Sequence, residues 1–155
     1  MRLTVMSDYS LRVLMYLGAN PEHRATIQEI ATAYAISENH LMKVVHGLGR
    51  HGFVETVRGR GGGMRLAKPA EEIRIGDVIR AVEDDFALVE CFRGQDNCRI
   101  SKICRLRGVL GLALEAYFKV LDEWTLADLV DTPRNLFAEL EGQLVPPPGP
   151  AVDRP

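Results

Sequence analysis

The 155-residue chain has little of what membrane-spanning, secreted or disulfide-stabilised proteins need. No apolar run approaches the roughly 18 residues that a membrane span requires, so we expect no membrane partner. The N-terminus lacks the charged and then apolar pattern of a secretory signal, which predicts a cytoplasmic protein. Its three cysteines are an odd number, and cytoplasmic proteins seldom carry disulfides. The cysteines therefore indicate metal binding or redox sensing.

The sequence also lacks the residues of common enzyme sites. It has no Cys-x-x-Cys pair and no convergent acid–base set, so we expect that it is not an enzyme. The net charge is only −2, but it is unevenly distributed. Residues 1–68 carry nine basic and five acidic side chains, whereas residues 69–155 carry ten and sixteen. A basic N-terminal half is suited to binding phosphates.

The N-terminal half has the pattern of a winged helix-turn-helix. A first helix is predicted over residues 2–19, a second begins at a capping box of Thr26 and Glu29, and Ser37 caps a third that ends near Arg50. Alternating residues on both sides of a glycine-rich loop predict a β-hairpin over residues 53–67. The buried stripe predicted for the first helix is Leu3, Met6, Ser10, Val13, Leu14 and Leu17. We expect a mainly α fold with a small hairpin, and a DNA-binding domain over residues 1–83.

The remaining sequence divides into three segments. A cysteine-rich loop occupies residues 84–104, a dimerisation helix and a short C-terminal helix occupy 105–140, and the proline-rich residues 141–155 form a disordered tail. The long helix, predicted over residues 105–124, has one broad apolar face that favours a dimer seam, because one small domain cannot cover it. A core helix that packs only within the chain remains the alternative. The face consists of Leu106, Leu110, Ala113, Tyr117, Val120, Leu121 and Trp124.

The third helix and the wing are the predicted DNA contacts. A helix fits the major groove of double-stranded DNA, where every base pair presents a distinct hydrogen-bonding pattern. Cationic side chains among glycines suit phosphates or a narrow minor groove. The alternatives are a merely solvated helix face and a nucleotide-phosphate loop, although such a loop precedes a helix and this one joins two strands. The predicted contacts are Arg2, Thr4, Ser37, Glu38, Asn39, His40, Lys43, Arg58, Arg60 and Gly61.

The cysteines are spaced as Cys-x6-Cys-x5-Cys, at Cys91, Cys98 and Cys104. Structural zinc sites usually have close cysteine pairs and four ligands, and no histidine follows His51 here. Three soft thiolates suit an iron–sulfur cluster that takes its last ligand from elsewhere. Buried structural cysteines, zinc and a thiol switch remain alternatives. A DNA-binding protein without any cofactor is the alternative for the whole chain.

Several motifs resemble the winged-helix iron–sulfur regulators typified by IscR and NsrR. The resemblance runs from residue 1 to about residue 140 and implies a dimeric repressor that binds a palindromic operator. Asp8, the pair Asn39-His40 and the segments around the cysteines resemble the nitric-oxide-sensing NsrR branch. The family-wide motifs are Met1-Arg2-Leu3-Thr4 with Asp8-Tyr9, the wing at 57–63, residues 72–79 and the three cysteines.

The resemblance also bears on the fourth ligand. IscR-like members have a histidine three residues after the last cysteine, where this chain has Arg107. NsrR-type members use an aspartate from the first helix of the other subunit, which implies Asp8 and favours a [4Fe–4S] over a [2Fe–2S] cluster. The residues alone favour a surface ion pair of Asp8 with Arg12. A sensor of iron or cluster supply, of the RirA or IscR type, is the alternative function.

Overall fold

The computed structural model describes residues 3–59, 61–93, 98–100 and 103–131. Two short 3-10 turns, Ala70–Glu72 and Glu90–Phe92, accompany the helices and the two strands. No helix within the described ranges combines the length and the apolar character that a membrane span needs. The helices and strands are α1 Val5–Ala19, α2 Ile27–Tyr34, α3 Glu38–Arg50, β1 Val54–Val57, β2 Gly63–Leu66, α4 Ile75–Val82, α5 Arg105–Asp122 and α6 Leu126–Val130.

Side-chain caps start the first three helices. Thr4 caps α1 by accepting the backbone N–H of Ser7, and Thr26 and Glu29 form a reciprocal capping box on α2. Ala35 adopts a left-handed conformation with φ 52°, which ends α2 and turns the chain toward α3. These local signals place α2 and α3 as the sequence predicts, and the first helix starts later than predicted because its cap is Thr4.

The hairpin is a two-stranded antiparallel sheet in which Val54 pairs with Leu66 and Val57 with Gly63. Reciprocal backbone hydrogen bonds of 2.8 and 3.1 Å join Met64 to Ala25 and fasten the hairpin to the loop before α2. A Cβ on Gly63 would lie 2.9 Å from the carbonyl oxygen of Arg24, so this close approach requires glycine. The predicted mainly helical fold with a small hairpin is confirmed.

The core lies between α1, α3, the hairpin, α4 and α6. Val13, Leu14, Leu41 and Leu48 are fully buried there. Leu126 of α6 is also fully buried, so the C-terminal helix shares the core of the N-terminal half of the chain.

Two positions of the predicted α1 stripe are wrong. Leu3 is only partly buried and lies before α1, which begins at Val5. Met6 is 36% exposed, and Ser7 is fully buried in its place. The first turn of α1 packs against the end of α4, where the carboxylate of Glu83 accepts a hydrogen bond from the Ser7 hydroxyl. The side chain that faces this carboxylate must donate a hydrogen bond, so a serine faces inward and the methionine faces outward.

None of the residues of α5 is buried. The helix lies on α4 through Arg80, whose guanidinium makes hydrogen bonds of 2.6 and 2.7 Å to the two carboxylate oxygens of Asp122. It ends at Asp122, two residues before the predicted end at Trp124. The division into domains stays a prediction, and the tail at 141–155 lies outside the described residues.

Candidate DNA interface and cysteine segment

The N-terminal half of α3 presents the predicted contact residues on one exposed surface. The opposite side of the helix is anchored in the core by Leu41, Val44, Val45 and Leu48. This division follows from the helical period, because inward residues at three- and four-residue spacing leave the others outside. The exposed residues that the sequence predicts here are Glu38, Asn39, His40 and Lys43.

Two contacts define the start of α3. The Ser37 hydroxyl accepts the backbone N–H of His40 at 3.4 Å, so this predicted DNA contact also caps the helix. The His40 ring lies against the ring of Tyr9 on α1, with 6.2 Å between centroids and an interplanar angle of 49°. Tyr9 is half-buried and packs against the core. No local sequence pattern indicates this contact, because it joins two helices.

The tip of the wing has a shape that only glycine allows. Gly59 and Gly61 have φ angles of 98° and 77°, in the left-handed region that disfavours other residues. A Cβ on Gly62 would overlap the carbonyl oxygen of Val57. Arg58 is exposed beside this turn. The predicted contacts Arg60 and Arg2 lie outside the described residues.

Glu83 links the N-terminus of α1 to the end of α4. Its carboxylate accepts the backbone N–H of Thr4 at 2.6 Å and the hydroxyl of Ser7 at 2.7 Å. Thr4, predicted to contact DNA, therefore has its backbone and side chain engaged in starting α1. Sequence reasoning missed Glu83, because the two ends of its contact to Thr4 are 79 residues apart.

Asp8 forms a two-point ion pair with Arg12 within α1. The Nη2–Oδ2 and Nε–Oδ1 distances are both 3.0 Å, and the two side chains are about half exposed. The hydrogen bond to Asp8 raises the pKa of Arg12 above its ordinary value. The Arg12 guanidinium also lies 5.8 Å from the ring centroid of Tyr34. In the single chain, Asp8 is thus paired as its residue pattern indicates, and its role as a ligand stays a prediction.

The three cysteines are free thiols in different settings. Cys91 lies in the 3-10 turn and is partly buried, Cys98 is exposed, and Cys104 is partly buried at the start of α5. Asp85 shapes the segment before Cys91 by accepting the Ala87 N–H at 2.6 Å and the Arg93 Nε–H at 2.8 Å. The Ala87 N–H is the main cause that lowers the pKa of Asp85.

Within the described ranges, no three Cys, His, Asp or Glu side chains come together as a metal-binding group. Among the residues that separate the cysteines, 94–97 and 101–102 lie outside those ranges. The chemistry of the donors, three thiols and one carboxylate on α1, fits an iron–sulfur cluster. The donors are therefore present in the chain, and the described single chain does not assemble them.

Aromatic contacts connect the cysteine segment, residues 84–104, to α5 and α4. Phe86 meets Phe118 edge-on, with 4.8 Å between the ring centroids. The guanidinium of Arg80 lies 4.2 Å from the centroid of the same Phe118 ring. Together with the ion pair of Arg80 and Asp122, these contacts fix one side of α5. Its other side leaves large apolar residues 56–66% exposed, and of these four only Leu106 and Val120 belong to the predicted apolar face. The four are Leu106, Val109, Leu112 and Val120.

Known proteins resemble the chain over most of its length. A family model described as "Rrf2: Iron-dependent Transcriptional regulator" matches residues 3–132. The HTH-type transcriptional regulator NsrR of Bacillus licheniformis is 55% identical over 132 residues, covering 84% of this chain and 92% of that protein. NsrR of Bacillus subtilis is 52% identical over 143 residues, covering 91% and 98%.

Solved structures show the same fold. CymR of Bacillus subtilis, titled the global cysteine regulator, superposes with a TM-score of 0.70 at 27% identity, over 84% of this chain and 97% of that one. IscR of T. potens gives a TM-score of 0.69 at 24% identity, over 84% and 87%. The winged-helix arrangement predicted from the sequence is the arrangement that these regulators share.

Proposed function

The chain belongs to the Rrf2 family of transcriptional regulators, and we propose that it is a dimeric repressor whose iron–sulfur cluster senses nitric oxide. Its relatives are named as regulators, so its role is control of transcription and not catalysis. The observation that carries the proposal is its identity of about one half with NsrR proteins over most of the chain.

The DNA-reading part of the proposal rests on α3 and the wing. The exposed residues Glu38, Asn39, His40 and Lys43 sit in the first two turns of α3, the end that reaches base edges in helix-turn-helix proteins. The glycine-rich wing has Arg58 and Arg60 in its sequence, and these cations suit phosphates or the minor groove. The positions Arg2, Thr4, Ser37 and Gly61 complete the proposed contact surface.

The dimer rests on the uncovered side of α5. This 18-residue helix has no buried residue and leaves several large apolar side chains in water, which is unfavourable unless another surface covers them. A second copy of the same helix has the matching character, and a two-fold interface uses the same surface on both chains. The two DNA-binding domains of such a dimer would bind half-sites about 34–36 Å apart, and the two-fold symmetry matches a palindromic operator.

The sulfurs of Cys91, Cys98 and Cys104 and the carboxylate of Asp8 of the partner subunit would hold the cluster, of the [4Fe–4S] type. When bound, the cluster supplies iron centres that react with nitric oxide. Within the chain, Arg12 offers Asp8 a second partner one turn away at 3.0 Å. Asp8 thus has two alternative partners, one in the cysteine segment of the other subunit and one on its own helix. Glu83 and Thr4 hold the N-terminal end of α1, and α1 packs against α3. A change in the partner of Asp8 would therefore act on the helix that supports α3.

Anaerobic mobility shifts with purified holo-protein test this proposal. Adding nitric oxide should weaken operator binding about 5- to 150-fold, the usual range of coupling between two sites. Asp8→Asn should weaken that response, whereas Asp77→Asn, which alters an exposed carboxylate on α4, should leave it intact. Equal binding before and after a stoichiometric dose of nitric oxide would refute the proposal. Cys91→Ser should abolish the cluster absorbance, and full absorbance in this variant would refute the ligand assignment.

The "iron-dependent" description of the family model favours one second candidate, a sensor of iron supply. The same holo-protein distinguishes the two functions. Release of the operator after iron chelation, with no response to nitric oxide on the intact cluster, would establish iron supply as the signal.

A further inference from the structure

The contact between Tyr9 and His40 connects α1 to the proposed reading surface. His40 is exposed in the first turn of α3, and its backbone N–H is held by the Ser37 hydroxyl at 3.4 Å. Its imidazole rests against the Tyr9 ring at a centroid distance of 6.2 Å. Tyr9 is itself half-buried against the core and therefore a fixed neighbour. The backbone and the ring of His40 are thus both supported by other residues.

This support matters because a histidine reads a base only in a defined orientation. One ring nitrogen of a neutral imidazole donates a hydrogen bond and the other accepts one. The major-groove edge of each base pair presents its own order of acceptors and donors, so a rotated imidazole loses the match. An exposed side chain without a neighbour must lose its rotamer freedom on binding, which lowers affinity. A ring that already rests on a fixed aromatic neighbour loses less.

We propose that Tyr9 is a positioning residue that orients His40, and that the pair sets the preference for one base pair in each operator half-site. The inference rests on the proposed function, since it requires α3 to lie in the major groove. Tyr9 itself touches the core and His40, and it acts on the DNA through His40. Its removal should therefore change the preference at the base pair that His40 reads and leave the others unchanged.

The test measures operator binding by anaerobic fluorescence anisotropy with full-length holo-protein. Each base pair of the half-site is replaced in turn, symmetrically, by the three alternatives. His40→Ala should lose discrimination at one position and thereby identify it. Tyr9→Leu should lose about two- to tenfold of the discrimination at that same position, the usual cost of ordering one side chain. Tyr9→Phe, which keeps the ring, should retain it.

Two controls separate orientation from general damage. Tyr16→Leu removes another tyrosine of α1, whose ring contacts Tyr34 on α2, and should leave the base preference unchanged. In the His40→Ala background, Tyr9→Leu should have no further effect on discrimination. Discrimination is a ratio of affinities within one sample, so a partly inactive preparation of Tyr9→Leu does not alter it.

Three results would overturn the inference. They are a uniform loss of affinity for every duplex in Tyr9→Leu, an effect that adds to that of His40→Ala, and unchanged discrimination in Tyr9→Leu while the wild type has a clear preference. A wild-type holo-protein without any sequence preference would instead refute the proposed function, and the inference with it.

Discussion

Replacing Glu83 by alanine should destabilise the chain by removing the link between α4 and the start of α1. The carboxylate accepts hydrogen bonds from the Thr4 N–H at 2.6 Å and from the Ser7 hydroxyl at 2.7 Å. Ser7 is fully buried, so water cannot replace the lost acceptor there. A hydrogen bond to a charged group contributes roughly 1.5–3 kcal/mol, and the partial exposure of Glu83 favours the lower end. Removing both hydrogen bonds should lower the free energy of unfolding by about 2–3 kcal/mol.

Thermal unfolding measured by circular dichroism at neutral pH provides the assay. At this chain length each kcal/mol corresponds to roughly 2–4 °C, so the Tm of Glu83→Ala should fall by about 5–10 °C. Glu83→Gln keeps an acceptor without the charge and should lose about half as much, because neutral hydrogen bonds are about half as strong. Asp84→Ala removes the exposed carboxylate next along the chain and is the matched control. Equal Tm values for Glu83→Ala and Asp84→Ala would refute the reasoning.

Three further substitutions have outcomes that the structure predicts. Gly62→Ala places a Cβ over the carbonyl oxygen of Val57, so the wing should change shape. The loss of one wing hydrogen bond to DNA should lower operator affinity about three- to tenfold, with little change in Tm. Burial raises the pKa of Tyr34 to about 12, and its hydroxyl has no hydrogen-bond partner among the described residues. The unfolded chain ionises this group first, so wild-type stability should decline as pH rises from about 10 to 12. Tyr34→Phe should raise the Tm and remove that part of the decline in alkaline unfolding experiments. Gly76→Ala directs a Cβ into the Asp122 carboxylate and should cost about 1–3 kcal/mol, which a second change, Asp122→Ala, should partly restore in denaturant titrations.

Local chemistry explains why most elements were predictable. The capping box of Thr26 and Glu29 and the N-cap Ser37 involve residues within one helical turn, so the sequence alone reveals them. The sequence pattern also predicts short helices over residues 75–82 and 126–130, and α4 and α6 have those bounds. Met6 was assigned to the buried side, where the structure has Ser7, because the hydrogen-bond partner of Ser7 is Glu83, which belongs to a distant segment.

The candidate site was predictable in part. Outward polar positions on α3 follow from the period of its buried residues, and the ion pair of Asp8 and Arg12 follows from their four-residue spacing. The contact of Tyr9 with His40 depends on how α1 and α3 pack, which no local pattern reports. In our proposal, the three cysteines share a cluster with a fourth ligand, Asp8, that comes from a second subunit. Their assembly therefore stays a prediction from the resemblance.

The exposed side of α5 suggests that the stability and the DNA binding of this protein depend on its concentration. In the proposed dimer, the exposed apolar side chains of α5 gain hydrophobic stabilisation when a second chain covers them. By mass action, the Tm of such a protein rises with its concentration. Where single chains predominate, the population of paired chains grows with the square of the total concentration. In the proposed dimer, a modest change in the number of copies per cell would thus shift operator occupancy steeply, before any signal reaches the cysteines.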